Sequence, residues 1–99
     1  MPVNSLNPEN KLLARDIEIR NRLGIHARPA SLFVKIASRY DAEVMVQKGD
    51  SKVSGKSIMG LMTLAVPCGT RLRVTAEGDD AEEVLNELIE LIENKFDED

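Results

Sequence analysis

Three stretches of this chain alternate in polarity, and that limits the folds open to it more than any other feature. In residues 13–20, Ile17 and Ile19 point one way while Asp16, Glu18 and Arg20 point the other. Residues 42–48 set Ala42, Val44 and Val46 on one face, and residues 70–77 set Leu72, Val74 and Ala76 against Arg71, Arg73 and Thr75. A period of two marks a strand with one face buried and one in water. Other stretches carry helical stripes instead. Ala30, Phe33, Val34 and Ala37 lie on one side of residues 27–39, with Leu32 and Ile36 widening the stripe. Ala81, Val84, Leu85, Leu88, Ile89 and Ile92 do the same for residues 81–93. Gly49-Asp50 is a turn signal, and residues 52–54 return beside the second strand as a hairpin. Ser57 suits the N-cap of a short apolar helix running to Leu64.

The order is therefore β-α-β-β-α-β-α, and its first six elements make a split βαβ arrangement. Strands buried on one face favour a mostly antiparallel sheet. Right-handed crossovers keep both βαβ units on one side. The expected fold is α+β: an open-faced β-sandwich, a four-stranded sheet with three helices on one face. Residues 13–93 form this domain. Residues 1–12 are polar and without period, which reads as a flexible N-terminal extension. Residues 94–99 read as an acidic C-terminal tail, solvated and unstructured at Asp97-Glu98-Asp99. Asp80 with Glu83 resembles a capping box for the last helix.

Composition narrows the function. A net charge of −4 argues against nucleic acid, whose backbone calls for a basic surface. One Cys excludes an internal disulfide, and one His far from it excludes a usual zinc site, so no metal is expected. Cys68, beside Pro67 in a loop, reads as inert. No apolar run is long enough to insert in a membrane, and no signal-peptide pattern opens the chain. A soluble cytoplasmic monomer is the expectation.

The one histidine stands in Gly24-Ile25-His26-Ala27-Arg28-Pro29-Ala30, where a strand gives way to a helix. Pro29 fits a first helical turn, so His26 falls at or beside the N-cap. Free N–H groups and the positive end of the helix dipole make an anion site there. Arg28 adds a planar donor fork that fits phosphate oxygens. A nucleophilic imidazole over an anion site suits a phosphoryl relay. A polar loop histidine beside a solvated arginine fits the same seven residues, and both readings stay open on this motif alone. In the helix after Ser57, Leu61 and Leu64 share a face that Ile58, Met59 and Met62 cannot all join. These three form either a partner surface or additional core.

Taken together, Gly24-Ile25-His26-Ala27-Arg28-Pro29-Ala30 and Gly55-Lys56-Ser57-Ile58-Met59-Gly60-Leu61-Met62 resemble the HPr family. These are the histidine-containing phosphocarriers of the bacterial phosphoenolpyruvate:sugar phosphotransferase system. The resemblance runs from about Leu13 to about Ile92. It implies that His26 accepts a phosphoryl group on ring Nδ1 from phosphorylated Enzyme I and passes it to sugar-specific EIIA proteins. Arg28 assists, Ser57 is a regulatory phosphorylation site for an HPr kinase/phosphorylase, and Ile58, Met59 and Met62 dock partners. Such a chain is a carrier rather than an enzyme, because its partners consume and regenerate it; it needs no bound cofactor, and no general base beside His26, because neutral imidazole already has a lone pair. The extension before Leu13, the Pro67-Cys68 loop and the acidic tail depart from the usual family form without touching the matched residues.

Three rival readings remain. A paralogue serving a regulatory, nitrogen-type phosphorelay would keep His26. A small metabolite-binding regulatory domain would not need it. An acylphosphatase-like hydrolase wants a glycine-rich cradle after the first strand, where Gly24 stands alone.

Overall fold

The computed structural model describes residues 11–98. Its elements are β1 (Leu12–Glu18), α1 (Ala27–Ala37), β2 (Glu43–Lys48), β3 (Ser51–Ser54), α2 (Ile58–Thr63), β4 (Arg71–Glu77) and α3 (Ala81–Glu93), followed by a 3-10 turn at Lys95–Asp97. The four strands form one sheet in the order β1-β4-β2-β3, and every pairing is antiparallel. In the β1–β4 register Ile17 faces Leu72 and Leu13 faces Ala76. Between β4 and β2, Val74 faces Val46 and Ala76 faces Val44. Apart from Leu13, these are residues that period two assigned to the inner face. The result is the expected open-faced sandwich.

The core lies between that face and the helices. Phe33 of α1, Leu61 of α2, and Val84, Leu85, Leu88 and Ile92 of α3 are buried with Val44, Val46 and Val74 of the sheet. Each such side chain contributes about 1.5–3 kcal/mol when fully removed from water. With few aromatics available, branched aliphatics do most of the filling. Arg71, Arg73 and Asp16 stay on the open face, where the Arg73 guanidinium donates to the Asp16 carboxylate at 2.8 Å and 3.2 Å. No helix of the described residues is long and apolar enough to cross a membrane.

Three differences from the sequence reading appear. Residues 1–10 of the proposed extension lie outside the described residues, but Leu12 already belongs to β1, opposite Glu77. Asp80 is the N-cap of α3 by position, yet its side chain does not cap it. Its carboxylate instead accepts from the backbone N–H groups of Asp41 and Ala42 at 2.9 Å and 2.8 Å, tying the α1–β2 loop to the start of α3. The tail is ordered through Glu98. Phe96 is fully buried, and Lys95, Phe96 and Asp97 all have left-handed φ, at 56°, 54° and 59°. Such a conformation costs an L-residue roughly 1–2 kcal/mol. A composition-based reading missed this because one buried phenylalanine outweighs the solvation of its charged neighbours.

Candidate functional site

Asn21 to His26 link β1 to α1, and the fold fixes them from below. Gly24 has φ of +69°, and a Cβ there would lie 2.1 Å from the Val66 carbonyl oxygen and 2.8 Å from the Pro67 Cα. Only glycine fits a left-handed turn pressed this closely on another backbone. The Ile25 N–H donates to the Val66 carbonyl at 2.8 Å. The loop leaving α2 is thus the floor beneath the turn. The unusual Pro67 belongs to that floor, while the Cys68 thiol is exposed.

His26 is the N-cap residue of α1, with extended backbone, φ −108° and ψ −164°. Its carbonyl accepts from the Ala30 N–H at 3.0 Å, which starts the helix. Its side chain makes no capping bond, so the imidazole is free for other work. The N–H groups of Ala27 and Arg28 have no carbonyl within the helix to bond. Pro29 is buried at the first turn, as its missing N–H allows.

The imidazole has a partner that the sequence reading did not foresee. His26 Nε2 lies 3.2 Å from Glu98 Oε1. Asn21 Nδ2 donates to the same oxygen at 2.9 Å, and Arg28 Nη1 donates to the other carboxylate oxygen at 3.2 Å. Arg28 Nη1 also donates to the Phe96 carbonyl at 3.0 Å. The Asn21 bond, then the His26 bond and the nearby Arg28 charge, hold the Glu98 carboxyl below the usual glutamate range. His26 and Arg28, which the sequence placed together, do meet, with Glu98 between them.

Asn21 was also missed. It is fully buried, and its Nδ2 donates to the Gly24 carbonyl at 2.7 Å as well as to Glu98. Its Oδ1 has no partner among the described residues, a polar atom normally costly to bury. Asparagine is common in turns, and nothing in the sequence marks Asn21 for more than that role. Glu98 left only a compositional trace.

α2 carries the remaining candidates. Ser57 is its N-cap, and the hydroxyl accepts from the Gly60 N–H at 2.9 Å. Leu61 and Leu64 are buried, while Ile58, Met59 and Met62 are 40%, 74% and 43% exposed. This resolves the two readings of the helix: the three side chains are surface. Leu23, beside Gly24, is another exposed large apolar residue that the sequence reading left unremarked. Lys48 Nζ donates to the carbonyls of Leu64 and Ala65 at 3.0 Å and 2.6 Å, a cation at the helix C-terminus. The chain leaving α2 then reaches Val66, so α2 and the His26 turn hang on one backbone bridge. Among the described residues, no group of His, Cys, Asp and Glu is arranged to hold a metal ion.

A family model described as the PTS HPr component phosphorylation site matches residues 13–94. The phosphocarrier protein HPr of Treponema pallidum (strain Nichols) is 40% identical over 87 residues, 88% of this chain and 99% of its own. Its counterpart in Pseudomonas aeruginosa is 50% identical over 86% of this chain and 96% of its own. The crystal structure of HPr-C-His from Thermoanaerobacter tengcongensis matches with a TM-score of 0.85 at 48% identity, over 88% of this chain and 98% of that one. Further relatives are an HPr-like protein Crh and a phosphocarrier protein NPr. Solved relatives include an HPr dimer, so kinship does not carry over the expectation of a monomer.

Proposed function

The chain belongs to the HPr family, and on that premise we propose that His26 takes a phosphoryl group from phosphorylated Enzyme I and hands it to sugar-specific EIIA proteins. The observation that carries this reading is the state of the imidazole. Its side chain is 39% exposed at the mouth of α1, with Nε2 engaged and no partner for Nδ1 among the described residues. The Nδ1 lone pair forms the N–P bond as the donor's bond to phosphorus breaks. On transfer that electron pair returns to Nδ1. No base is needed, since no proton has to leave the nucleophile before attack. Arg28 spends one nitrogen on Phe96 and Glu98, and its side chain is 53% exposed, so the rest of its donor fork is open to phosphoryl oxygens.

Ser57 serves as the regulatory position and Ile58, Met59 and Met62 as the docking patch. The support is placement: the capping hydroxyl stands at the head of the helix that exposes the three apolar side chains. A phosphate on Ser57 would put charge beside a surface that partners must desolvate. The carrier works in the cytoplasm, with HPr kinase/phosphorylase as a third partner where a cell has one.

The deciding experiment is incubation with phosphoenolpyruvate, Mg²⁺ and Enzyme I. The chain gains one acid-labile phosphoryl group, and His26→Ala gains none. Equal labelling of the variant would overturn the assignment. Transfer from the labelled chain to an EIIA of a sugar system, rather than to one of a nitrogen-type relay, separates the two phosphorelay readings.

A further inference from the structure

The open face of the sheet is organised in rows that the register of the three strand pairs fixes. One row crosses the four strands as Asp16, Arg73, Gln47 and Lys52. The next crosses as Ala14, Thr75, Met45 and Ser54. A third holds Leu12, Glu77 and Glu43. We infer that this face pairs with the same face of a second copy of the chain, about a two-fold axis running along the row from Ala14 to Ser54. The inference does not depend on what His26 does.

The charges on these rows carry it. Glu43 stands directly opposite Glu77 on the neighbouring strand, and like charges so placed repel. Leu12 completes their row without a cation. Among the described residues neither glutamate has an ion-pair partner. The row of Arg73 and Lys52 holds a single carboxylate, Asp16. Arg73 meets that carboxylate through Nε and Nη2 only, so its Nη1 donors stay open, and its side chain is 56% exposed. Between these rows the middle one is uncharged, with Met45 half-buried among small side chains. An anionic row and a cationic row thus flank a neutral one.

Symmetry then selects the pairing. Two sheets stacked face to face keep their strands roughly aligned, about 10 Å apart. A two-fold axis along the strands, between β4 and β2, would lay Glu77 over the partner's Glu43 and add a second repulsion. An axis across the strands, along the neutral row, exchanges the outer rows instead. Glu77 then lies over the partner's Arg73. Glu43 lies over the partner's Gln47, with the partner's Lys52 one strand away. The two-fold makes each of these contacts twice. Met45 and Thr75 face their own counterparts on the axis, where an adaptable thioether fills the gap. Four strands of this length make a face of roughly 400 Å², about half of what each partner buries in a standard interface. With a charge of −4 on each copy as well, the dimer is weak and forms only as concentration rises. It covers neither α1 nor α2, which pack on the other side of the sheet, so His26 and Met59 stay open in both copies.

Charge reversal tests the pairing. The full chain is followed by sedimentation velocity and by ¹H–¹⁵N NMR from about 20 μM to about 2 mM. Wild type shows a monomer–dimer equilibrium, and the amide shifts of Ala14, Met45 and Thr75 move with concentration. Arg73→Glu and Glu77→Arg each weaken the dimer about tenfold. An equimolar mixture of the two variants associates again, because each supplies the charge the other lacks. The chain carrying both changes self-associates like wild type. Met45→Asp, outside the charged rows, sets two carboxylates against each other on the axis and abolishes the dimer. A wild-type chain that stays monomeric at the highest concentration overturns the inference. So does an association that both single reversals leave intact, which would place the contact on a sheet edge or a helix. Shifts at Ala14 and Thr75 that respond to deletion of residues 1–10 but not to concentration give the face to the chain's own first residues, and overturn it as well.

Discussion

Gly24 and Val66 touch through their backbones: a methyl group on the Gly24 Cα would stand 2.1 Å from the Val66 carbonyl oxygen. The turn that presents His26 therefore rests directly on the chain leaving α2. Gly24→Ala has to break that contact and also hold an alanine at φ of +69°. We expect a loss of about 2–4 kcal/mol in urea unfolding. The ring resonances of His26 should shift in whatever fraction stays folded. A variant as stable as wild type would show that the turn can lift away without cost.

Ser57 separates capping from charge. Ser57→Ala removes the acceptor of the Gly60 N–H and should cost about 1 kcal/mol of stability. Ser57→Asp keeps a good capping oxygen, so its melting temperature should stay near wild type. Its phosphorylation by Enzyme I should be several-fold slower, because the carboxylate adjoins Ile58 and Met59. Equal rates for Ser57→Asp and wild type would remove the basis for a switch at this position.

Met59 is the most exposed of the large apolar residues among the described ones, at 74%. Met59→Glu therefore removes little packing, and the stability change should stay within about 0.5 kcal/mol. Binding to Enzyme I, followed by calorimetry, should weaken about tenfold. Unchanged affinity would place the docking surface elsewhere, with Leu23 the next residue to test.

Tyr40 and Glu87 give the fold a dependence on pH at both ends. The Tyr40 hydroxyl donates to Glu87 Oε1 at 2.6 Å, and Arg39 pairs with the other oxygen, clamping the end of α1 to α3. The Tyr40 bond, then the Arg39 contact, hold the Glu87 carboxyl below its ordinary 4.5. The bond to Glu87 raises the Tyr40 phenol above its ordinary 10.0. A lowered carboxyl stabilises the fold above its unfolded-state value and loses that contribution as pH falls through the folded value. A raised phenol stabilises below its unfolded value and loses it as pH rises through the folded one. Urea titrations of wild type and Tyr40→Phe should differ most near neutrality and converge as pH falls through the lowered Glu87 value and as it rises through the raised Tyr40 value. A gap constant across that range would mean the pair is not formed.

The legible part of this molecule was what repeats. Period two in residues 70–77 is Leu72, Val74 and Ala76 facing the helices, and the stripe from Ala81 to Ile92 is α3 against the sheet. A repeated pattern averages over many weak preferences, so it survives one misplaced residue. Single polar contacts between distant segments leave no such trace. Asp80 sits at a helix start and was read as its cap, yet the nearby N–H groups of Asp41 and Ala42 claimed its carboxylate. Glu98 sits in an acidic run and was read as solvated, yet Asn21, His26 and Arg28 gather around it. His26 and Arg28 were found because they are neighbours in sequence, while Asn21 and Glu98 are joined only by the fold.

Glu98 follows His26 by 72 positions. β1, the first strand of the described residues, likewise finds its sheet neighbour among them only in β4. During translation the histidine thus leaves the ribosome long before its carboxylate partner has been made. A nascent or prematurely terminated chain presents His26 without Glu98, and β1 without a strand to lie against. The cluster around His26 is therefore closed only once synthesis has passed Glu98, long after the histidine itself was made.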